Sequence, residues 1–342
     1  MGKIIYLLGA GASRGTRGEE NQILTGLPIV SEIEGELGRL IDLLGLIHLK
    51  DEGLDKSRLY LIEDFQKLKV ACSENATIDT YAKKLWLQGN KKEFARVELL
   101  LTIFFILEQV IHKPDKRYDT FYANLLQKKN EYYDKLTFPD DIRILSWNYD
   151  NQMELVYKGY LKDINYSVTR EYLGIYDVKG DDQKDQKQTP CSIIKLNGTA
   201  NFYAEEDWLQ YSDDNEINEK LLERILRKYE GCVHVEQCDG RLRLNFAWDV
   251  RYSANVLKNI VPTMVQDATT LVVIGYSFPY FNRTIDRAIF QQMPHLENIY
   301  IQDKYPNRIQ QNIKPVIPSD RRDKMRIILL NDVEQFYLPP EL

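Results

Sequence analysis

The sequence predicts an α/β fold, in which a Rossmann-like, mostly parallel sheet has helices on both faces and a smaller helical lobe is formed by insertions. Two observations lead to this prediction. Short, continuously apolar segments alternate with amphipathic ones, which is typical of parallel strands buried between helices. In addition, the chain of 342 residues is longer than one ordinary domain, which leaves room for insertions into the sheet-forming part.

Six segments have the apolar, β-branched composition of buried strands. They are residues 3–8, 142–146, 192–196, 271–274, 299–302 and 325–330. Helical patterns over 152–161 and 282–293 lie between them. Ligands of such sheets bind beyond the carboxyl ends of the strands, so the residues that follow the strands form the candidate site. Five of these positions are Gly9, Asn148, Asn197, Gly275 and Asp303.

Two long segments do not follow this alternation and are interpreted as insertions. We expect a core made of residues 1–30 and 141–342, with a further insertion over 200–260, and a mainly helical inserted lobe over 31–140. The segment 97–111 is apolar but too short to span a membrane, so it is a core helix or an interface between subunits. His112 ends this helical segment and is interpreted as a surface or core residue.

Composition and charge exclude several classes of protein. Lys and Arg number 45 against 51 Asp and Glu, and they are dispersed, which argues against a nucleic-acid-binding surface. The four cysteines form no Cys-x-x-Cys pair, so we expect reduced thiols and no zinc ribbon. The apolar run at the start is too short for a signal peptide, and no membrane segment is expected. These features predict a cytoplasmic protein.

A turn of small residues follows the first predicted strand, Gly9-Ala10-Gly11-Ala12-Ser13. Small residues let the backbone approach a phosphate, and free N–H groups at the start of a following helix would favour an anion. A tight strand-to-helix turn would use the same residues, so both interpretations stay open. Hydride transfer is disfavoured, because Arg14 stands where the dinucleotide fingerprint of dehydrogenases needs its third glycine.

Five short motifs occur in order along the chain. They are the turn at 9–13, Gly26-Leu27-Pro28, Asn148-Tyr149-Asp150, Lys195-Leu196-Asn197-Gly198 and Gly275-Tyr276-Ser277-Phe278-Pro279. This ordered set resembles the sirtuin-like family, and most closely its bacterial branch that hydrolyses NAD, often in antiphage defence. The motifs cover the whole chain apart from the insertions. No single motif is specific, and their order carries the resemblance.

The resemblance implies a Rossmann-like sheet with a small helical lobe, NAD as the substrate and no metal. The glycine turn would hold the NAD phosphates, and Asn148 and Asp150 would face the nicotinamide ribose and the carboxamide. Gly275, Ser277 and Asp303 would line the adenosine half. Further NAD contacts are expected from Pro28, Gly198, Thr199 and Tyr276. Enzymes of this branch are commonly held silent in homo-oligomers or by partner proteins of the defence system.

The expected activity is cleavage of the nicotinamide–ribose bond of NAD to nicotinamide and ADP-ribose. Breaking this bond develops positive charge at the ribose C1′ atom. Asn148 can orient a ribose hydroxyl or a water molecule, and Asp150 can stabilise the cation electrostatically. An Asn-Tyr-Asp sequence also suits an ordinary polar turn after a strand. The third candidate catalytic residue is Asn197, which stands where the family usually has a histidine base.

Asparagine cannot act as that base, since it does not titrate in the physiological range. Three interpretations remain open. Hydrolysis proceeds without the base, a base comes from elsewhere with Asp150 as the first choice, or the protein binds NAD or ADP-ribose without turnover, as a sensor or scaffold subunit. Protein deacylation is less favoured, because the zinc ribbon and the histidine base of family deacylases are both absent from this sequence.

Overall fold

A computed structural model describes residues 2–130, 133–161, 164–178, 191–202, 216–233, 242–246 and 248–342. The strands are β1 (Lys3–Leu8), β2 (Gln127–Asn130), β3 (Tyr133–Thr137), β4 (Ile142–Ser146), β5 (Ile175–Asp177), β6 (Ile193–Lys195), β7 (Gly198–Phe202), β8 (Leu242–Leu244), β9 (Ala268–Ile274), β10 (Asn298–Gln302) and β11 (Arg326–Leu330). The α-helices are α1 (Ile33–Gly45), α2 (Glu52–Glu74), α3 (Ile78–Leu87), α4 (Lys91–Ile111), α5 (Lys116–Leu125), α6 (Gln152–Lys158), α7 (Tyr166–Leu173), α8 (Glu219–Val233), α9 (Val250–Asn259), α10 (Val261–Val265), α11 (Arg283–Gln291) and α12 (Pro306–Ile313).

The main sheet has seven strands in the order β11-β10-β9-β1-β4-β6-β5, and each neighbouring pair is parallel. This confirms the predicted Rossmann-like α/β class. All six predicted strands lie in this sheet, within three residues of their expected bounds. The seventh strand, β5, is only three residues long and has no pattern that the sequence analysis detected. Two smaller sheets pair β2 with β3 and β7 with β8.

The central strand β1 explains why the apolar pattern of the strands is continuous. Ile5 and Leu7 face one buried core, which includes residues of α10, α11 and α12. Ile4, Tyr6 and Leu8 face a second core, to which α5 and α6 contribute. A strand that is covered by helices on both faces has no position that favours a polar side chain. The alternation of apolar and polar residues that marks a half-exposed strand is therefore absent.

The strand order determines where a ligand site is expected. Six of the strands, β6-β4-β1-β9-β10-β11, follow the order 3-2-1-4-5-6 of doubly wound sheets. From β1 the chain builds the sheet first toward β4 and later, from β9 onward, in the opposite direction. The carboxyl ends of β1 and β9 therefore flank the topological switch point, where ligands of such sheets bind.

The chain divides into two compact units. The first consists of Met1–Gly15, Pro114–Thr199 and Asn245–Leu342, and it contains the main sheet. The second consists of Thr16–Lys113 and Ala200–Leu244. Both expected insertions contribute to the second unit, through residues 31–113 and 200–244. The segment 114–140, with α5 and the β2–β3 hairpin, belongs to the first unit.

The second unit is built on helices whose apolar positions match the sequence patterns. In α4, 16 of the 21 residues are buried, so this helix has no exposed apolar face for a subunit interface. Helix α8 buries one apolar face, which includes Leu221, Leu222, Ile225, Leu226 and Tyr229. The Tyr229 hydroxyl donates to Asp64 Oδ2 at 2.7 Å. Within the described ranges, the helices include none that is long and apolar enough to cross a membrane.

Candidate functional site

The turns after β1 and β9 pack backbone against backbone at the switch point. Gly11 N donates to Gly275 O at 3.0 Å, and Gly9 N donates to Ile274 O at 3.0 Å. A Cβ atom on Gly275 would lie 2.4 Å from Ala12 N, and one on Gly11 would lie 2.7 Å from Gly275 Cα. Gly275 also has a φ of 59°, in the left-handed region. Close packing of the two turns therefore requires glycine at these positions.

Four amide groups of the turn after β1, those of Gly9, Gly11, Ala12 and Ser13, donate to carbonyl oxygens of the protein. A short 3₁₀ turn, Ala10–Ala12, follows β1, and the chain does not pass directly into an α-helix. Ala12 N donates to Gly9 O, and Ser13 N donates to Ala10 O. The chain then turns at Gly15, which has a φ of 63°. The geometry favours the tight-turn interpretation, and contact of this turn with NAD phosphates stays a prediction.

An ion pair at the start of α5, Arg117 with Asp115, holds this glycine turn through hydrogen bonds. Arg117 Nη2 donates to Gly11 O at 2.9 Å and to Ala12 O at 3.3 Å. Asp115 Oδ2 accepts from Gly15 N at 2.9 Å and from Arg117 Nη2 at 2.5 Å. Neither residue could be identified from the sequence, because both lie about 100 positions from the turn, in a segment assigned to the inserted lobe. The only local signal is an Asp at a helix start.

Asn148, which follows β4, is bonded to the glycine turn. Its Nδ2 atom donates to Gly9 O at 3.0 Å and to Ser13 Oγ at 2.9 Å. The Ser13 hydroxyl also lies 3.1 Å from the hydroxyl of Tyr118. Both amide hydrogens of the buried Asn148 are thus used within the protein. The side-chain oxygen is the atom of Asn148 that remains to accept from a ligand.

Asp150 lies at the start of α6 and is 4 % exposed. Its Oδ1 atom accepts from Gln152 N at 3.0 Å. Gln152 in turn donates to Ser13 O at 2.8 Å and accepts from Asp115 N at 2.6 Å. The carbonyl of Asp150 accepts a hydrogen bond from Lys195 Nζ. These contacts hold Asp150 in a fixed position beside the glycine turn. No local sequence pattern marks Gln152 as part of the site.

A buried ionic network supports the turns that follow β4 and β6. Lys195 Nζ lies 3.1 Å from Glu154 Oε2, and Arg170 Nη1 lies 3.1 Å from Glu154 Oε1. Arg170 Nη2 lies 2.7 Å from Asp177 Oδ2. Thr199, a predicted NAD contact, donates its hydroxyl to Asp177 Oδ1 at 2.7 Å. Burial acts to lower the pKa of Arg170, but the two carboxylates raise it above the ordinary value, so the guanidinium stays charged.

Asn197, the second residue after β6 and a predicted catalytic residue, has an unpartnered oxygen. Its Nδ2 atom donates to Trp147 O at 2.7 Å, beside Asn148. Its Oδ1 atom is buried without a hydrogen-bond partner among the described residues, and the whole residue is 7 % exposed. Such an orphaned polar atom costs about 1–3 kcal/mol. It therefore marks a position where a ligand or a water molecule can donate a hydrogen bond. The next residue, Gly198, has a φ of 65°.

Tyr276, a predicted NAD contact after β9, belongs to a buried polar cluster. Its ring stacks on Trp147 with a centroid distance of 5.7 Å, and its hydroxyl donates to Asp286 Oδ2 at 2.9 Å. Asn282 Nδ2 donates to the Tyr276 hydroxyl at 3.0 Å. Burial raises the pKa of Asp286, against the lowering effect of the Tyr276 and Trp147 donors. This cluster anchors the β9 turn on α11.

The remaining predicted contacts lie farther along the edge or in the second unit. Ser277 is exposed, and its carbonyl accepts from Asn312 Nδ2 at 2.9 Å. Asp303, after β10, accepts from Tyr305 N at 2.8 Å. Pro28 is buried in the second unit, ahead of α1. For these three residues, NAD contact stays a prediction.

A surface pocket of about 750 Å³ lies at the carboxyl ends of β10 and β11. Its lining begins directly after Asp303 and includes Lys304, Tyr305, Arg308 and Asn331. Two cationic side chains and an exposed tyrosine ring suit a ligand that is both anionic and aromatic. This pocket could not be identified from the sequence, because its lining residues are ordinary surface types.

The structure thus brings Asn148, Asp150 and Asn197 to one carboxyl edge of the sheet, as expected for residues that follow neighbouring parallel strands. No protein-family model matches the chain, and no curated protein matches it. The function is therefore inferred from the chemistry of this edge.

Proposed function

We propose that the first unit binds NAD at the carboxyl edge of the sheet and hydrolyses its nicotinamide–ribose bond. The observation that carries this proposal is the unpartnered, buried Oδ1 atom of Asn197. The side-chain oxygens of Asn148 and Asp150, two residues that follow the neighbouring strand β4, are further candidate acceptors of a group at this edge. Ribose supplies hydroxyl donors to match such a group, and the pocket beside Asp303 suits an anionic, aromatic nucleotide half.

The chemistry requires little from a general base. When the bond between C1′ and the nicotinamide nitrogen breaks, its electron pair neutralises the positive ring, and positive charge develops on the ribose. The carboxylate of Asp150 stabilises that charge, and Asn148 and Asn197 hold ribose hydroxyls or the attacking water. Water forms the new bond to C1′ and releases its proton to solvent. The products are nicotinamide and ADP-ribose.

A second candidate is a subunit that binds NAD or ADP-ribose without turnover. Two observations favour it: Asn197 cannot accept a proton, and the amides of Gly9, Gly11 and Ala12 are already paired. In either case we propose that the protein acts in antiphage defence, under the control of an oligomer or a partner protein. This last step rests on the resemblance of the motifs alone.

Nicotinamide release from NAD by the purified protein tests the leading proposal. We expect Asn148→Ala and Asp150→Asn each to lower kcat/KM by at least about 100-fold, since both act on the developing cation or the ribose. Asn124→Ala, an exposed position on α5 in the same unit, is the matched control and keeps full activity. Activity that survives both site substitutions contradicts the assignment. Calorimetric binding of NAD that stays intact for hours supports the second candidate instead.

The variant Asn197→His separates the two candidates. If hydrolysis needs no base, the variant changes kcat less than about tenfold and the pH profile stays flat near neutrality. The second candidate is supported if the wild-type protein does not hydrolyse NAD and the Asn197→His variant does. The hydrolysis rate of the variant then rises as the pH passes the pKa of the histidine. Asn197→Leu removes the acceptor, and we expect it to weaken NAD binding about tenfold, measured by calorimetry.

A further inference from the structure

Two buried carboxylates and a histidine converge in the second unit, in a cluster that the proposed NAD chemistry does not use. Glu36 lies on α1, Glu108 lies on the last turn of α4, and His112 follows that helix directly. One oxygen of each carboxylate and one ring nitrogen all lie within 4.8 Å of one another. Glu108 and His112 are four residues apart, which places both side chains on one face of the helix end.

One buried carboxylate oxygen of this cluster has no hydrogen-bond donor among the described residues. Glu108 is 1 % exposed, and its Oε2 atom has no hydrogen-bond partner within the described ranges. The atom lies 3.5 Å from His112 Nε2. A buried carboxylate oxygen without a donor is costly, because the charge has lost its hydration without replacement. A bound cation would remove that cost.

The two carboxylates also oppose one another. Glu36 is 6 % exposed, and one of its carboxylate oxygens lies within 4.8 Å of an oxygen of Glu108. The nearest cations offer limited compensation. Arg39 Nη1 lies 3.5 Å from Glu36 Oε2, but its side chain is 49 % exposed, and such pairs contribute about 0–1 kcal/mol. Arg17 is engaged at 2.7 Å by Glu32.

We propose that Glu36, Glu108 and His112 bind one divalent transition-metal ion of the Zn²⁺ type. Ligands at about 2.1 Å in tetrahedral geometry are separated by about 3.4 Å, close to the 3.5 Å between Glu108 and His112. The imidazole nitrogen favours Zn²⁺ over Mg²⁺ or Ca²⁺, which prefer oxygen ligands throughout. With three protein ligands, a fourth position is open to water. The ion would join α1 to the end of α4.

The full-length chain, treated with EDTA and then titrated with ZnCl₂, tests this site. We expect calorimetry to give one Zn²⁺ per chain at this site, and Zn²⁺ in hundredfold excess over its Kd to raise the thermal unfolding midpoint by several degrees. Mg²⁺ at the same concentration has no such effect. A wild-type chain that binds no Zn²⁺, or that responds equally to Mg²⁺, overturns the proposal.

Matched variants assign the ligands. Glu108→Gln keeps the size of the side chain, and we expect it to weaken Zn²⁺ binding at least about 100-fold and to abolish the thermal shift. His112→Asn, at a less buried position, gives the same result and serves if Glu108→Gln does not fold. Glu34→Gln on the exposed side of α1 and His48→Asn at an exposed histidine keep wild-type affinity. Zn²⁺ binding that either ligand variant retains at full affinity overturns the site.

Discussion

Gly275→Ala is expected to lower the free energy of unfolding by at least about 3 kcal/mol. The new Cβ atom would lie 2.4 Å from Ala12 N and from the carbonyl carbon of Gly11. Both are backbone atoms of the opposing turn, so no flexible side chain can move aside. The φ of 59° adds the strain of a left-handed conformation. Urea denaturation followed by circular dichroism measures the loss, and we expect NAD binding to be lost with it.

Gly89→Ala separates the clash from the backbone strain. Gly89 has a φ of 71°, but a Cβ atom there has open space within 4 Å. We therefore expect this control to cost only about 1–2 kcal/mol, the penalty of the left-handed region. Equal losses for the two variants would contradict tight packing of the turns after β1 and β9.

The second large effect is expected from Lys195→Met, which should lower the free energy of unfolding by about 3–5 kcal/mol. Lys195 and Glu154 are fully buried, with 3.1 Å between Nζ and Oε2. Removing the ammonium leaves Glu154 with one cationic partner, Arg170, which is shared with Asp177. The carbonyl of Asp150 also loses its donor, so the candidate site is loosened together with the fold.

A pair of the same length provides the control, because its lysine is exposed and its buried Asp64 keeps a second cationic partner, Arg96, with 3.0 Å between Nε and Oδ2. Lys67 Nζ lies 3.1 Å from Asp64 Oδ1, but the Lys67 side chain is 69 % exposed. We expect Lys67→Met to change the free energy of unfolding by less than about 1 kcal/mol. In the double variant Lys195→Met/Glu154→Gln, part of the loss is recovered, because the uncompensated charge is gone. Equal effects of the two lysine variants would contradict an important role for the buried network.

The bounds of β1 and β4 could be predicted because a strand that is buried on both faces has apolar residues at consecutive positions. The bounds of β5 could not, since three residues carry no period and the strand exists only because it pairs with β6. Because Gly9 and Asn148 follow parallel strands, they are expected to lie close to each other at the same edge of the sheet. The structure agrees, since Asn148 Nδ2 donates to Gly9 O. The site residues that can be predicted from the sequence are thus the ones that follow the strands.

The rest of the site depends on contacts between distant parts of the chain. Arg117 and Gln152 reach the glycine turn from positions more than 100 residues away, and no local pattern marks them. The sequence shows that the turn after β1 consists of small residues. It does not show that these residues pack against the backbone of Gly275. Likewise the spacing of Glu108 and His112 is local, whereas Glu36 joins them only through the packing of the second unit.

The central position of β1 has a consequence for the order of folding. Ile4 lies opposite Ile142 on one side and Thr270 on the other, so both neighbours of β1 are synthesised long after it. Closing loops of this length is slow, whereas helices close in sequence, such as α1 and α2, can associate early. During synthesis β1 is therefore an apolar strand with two open edges, which other chains can pair with. Among the strands of the main sheet that have two neighbours, β1 has the longest stretch of chain between itself and its second neighbour, β9.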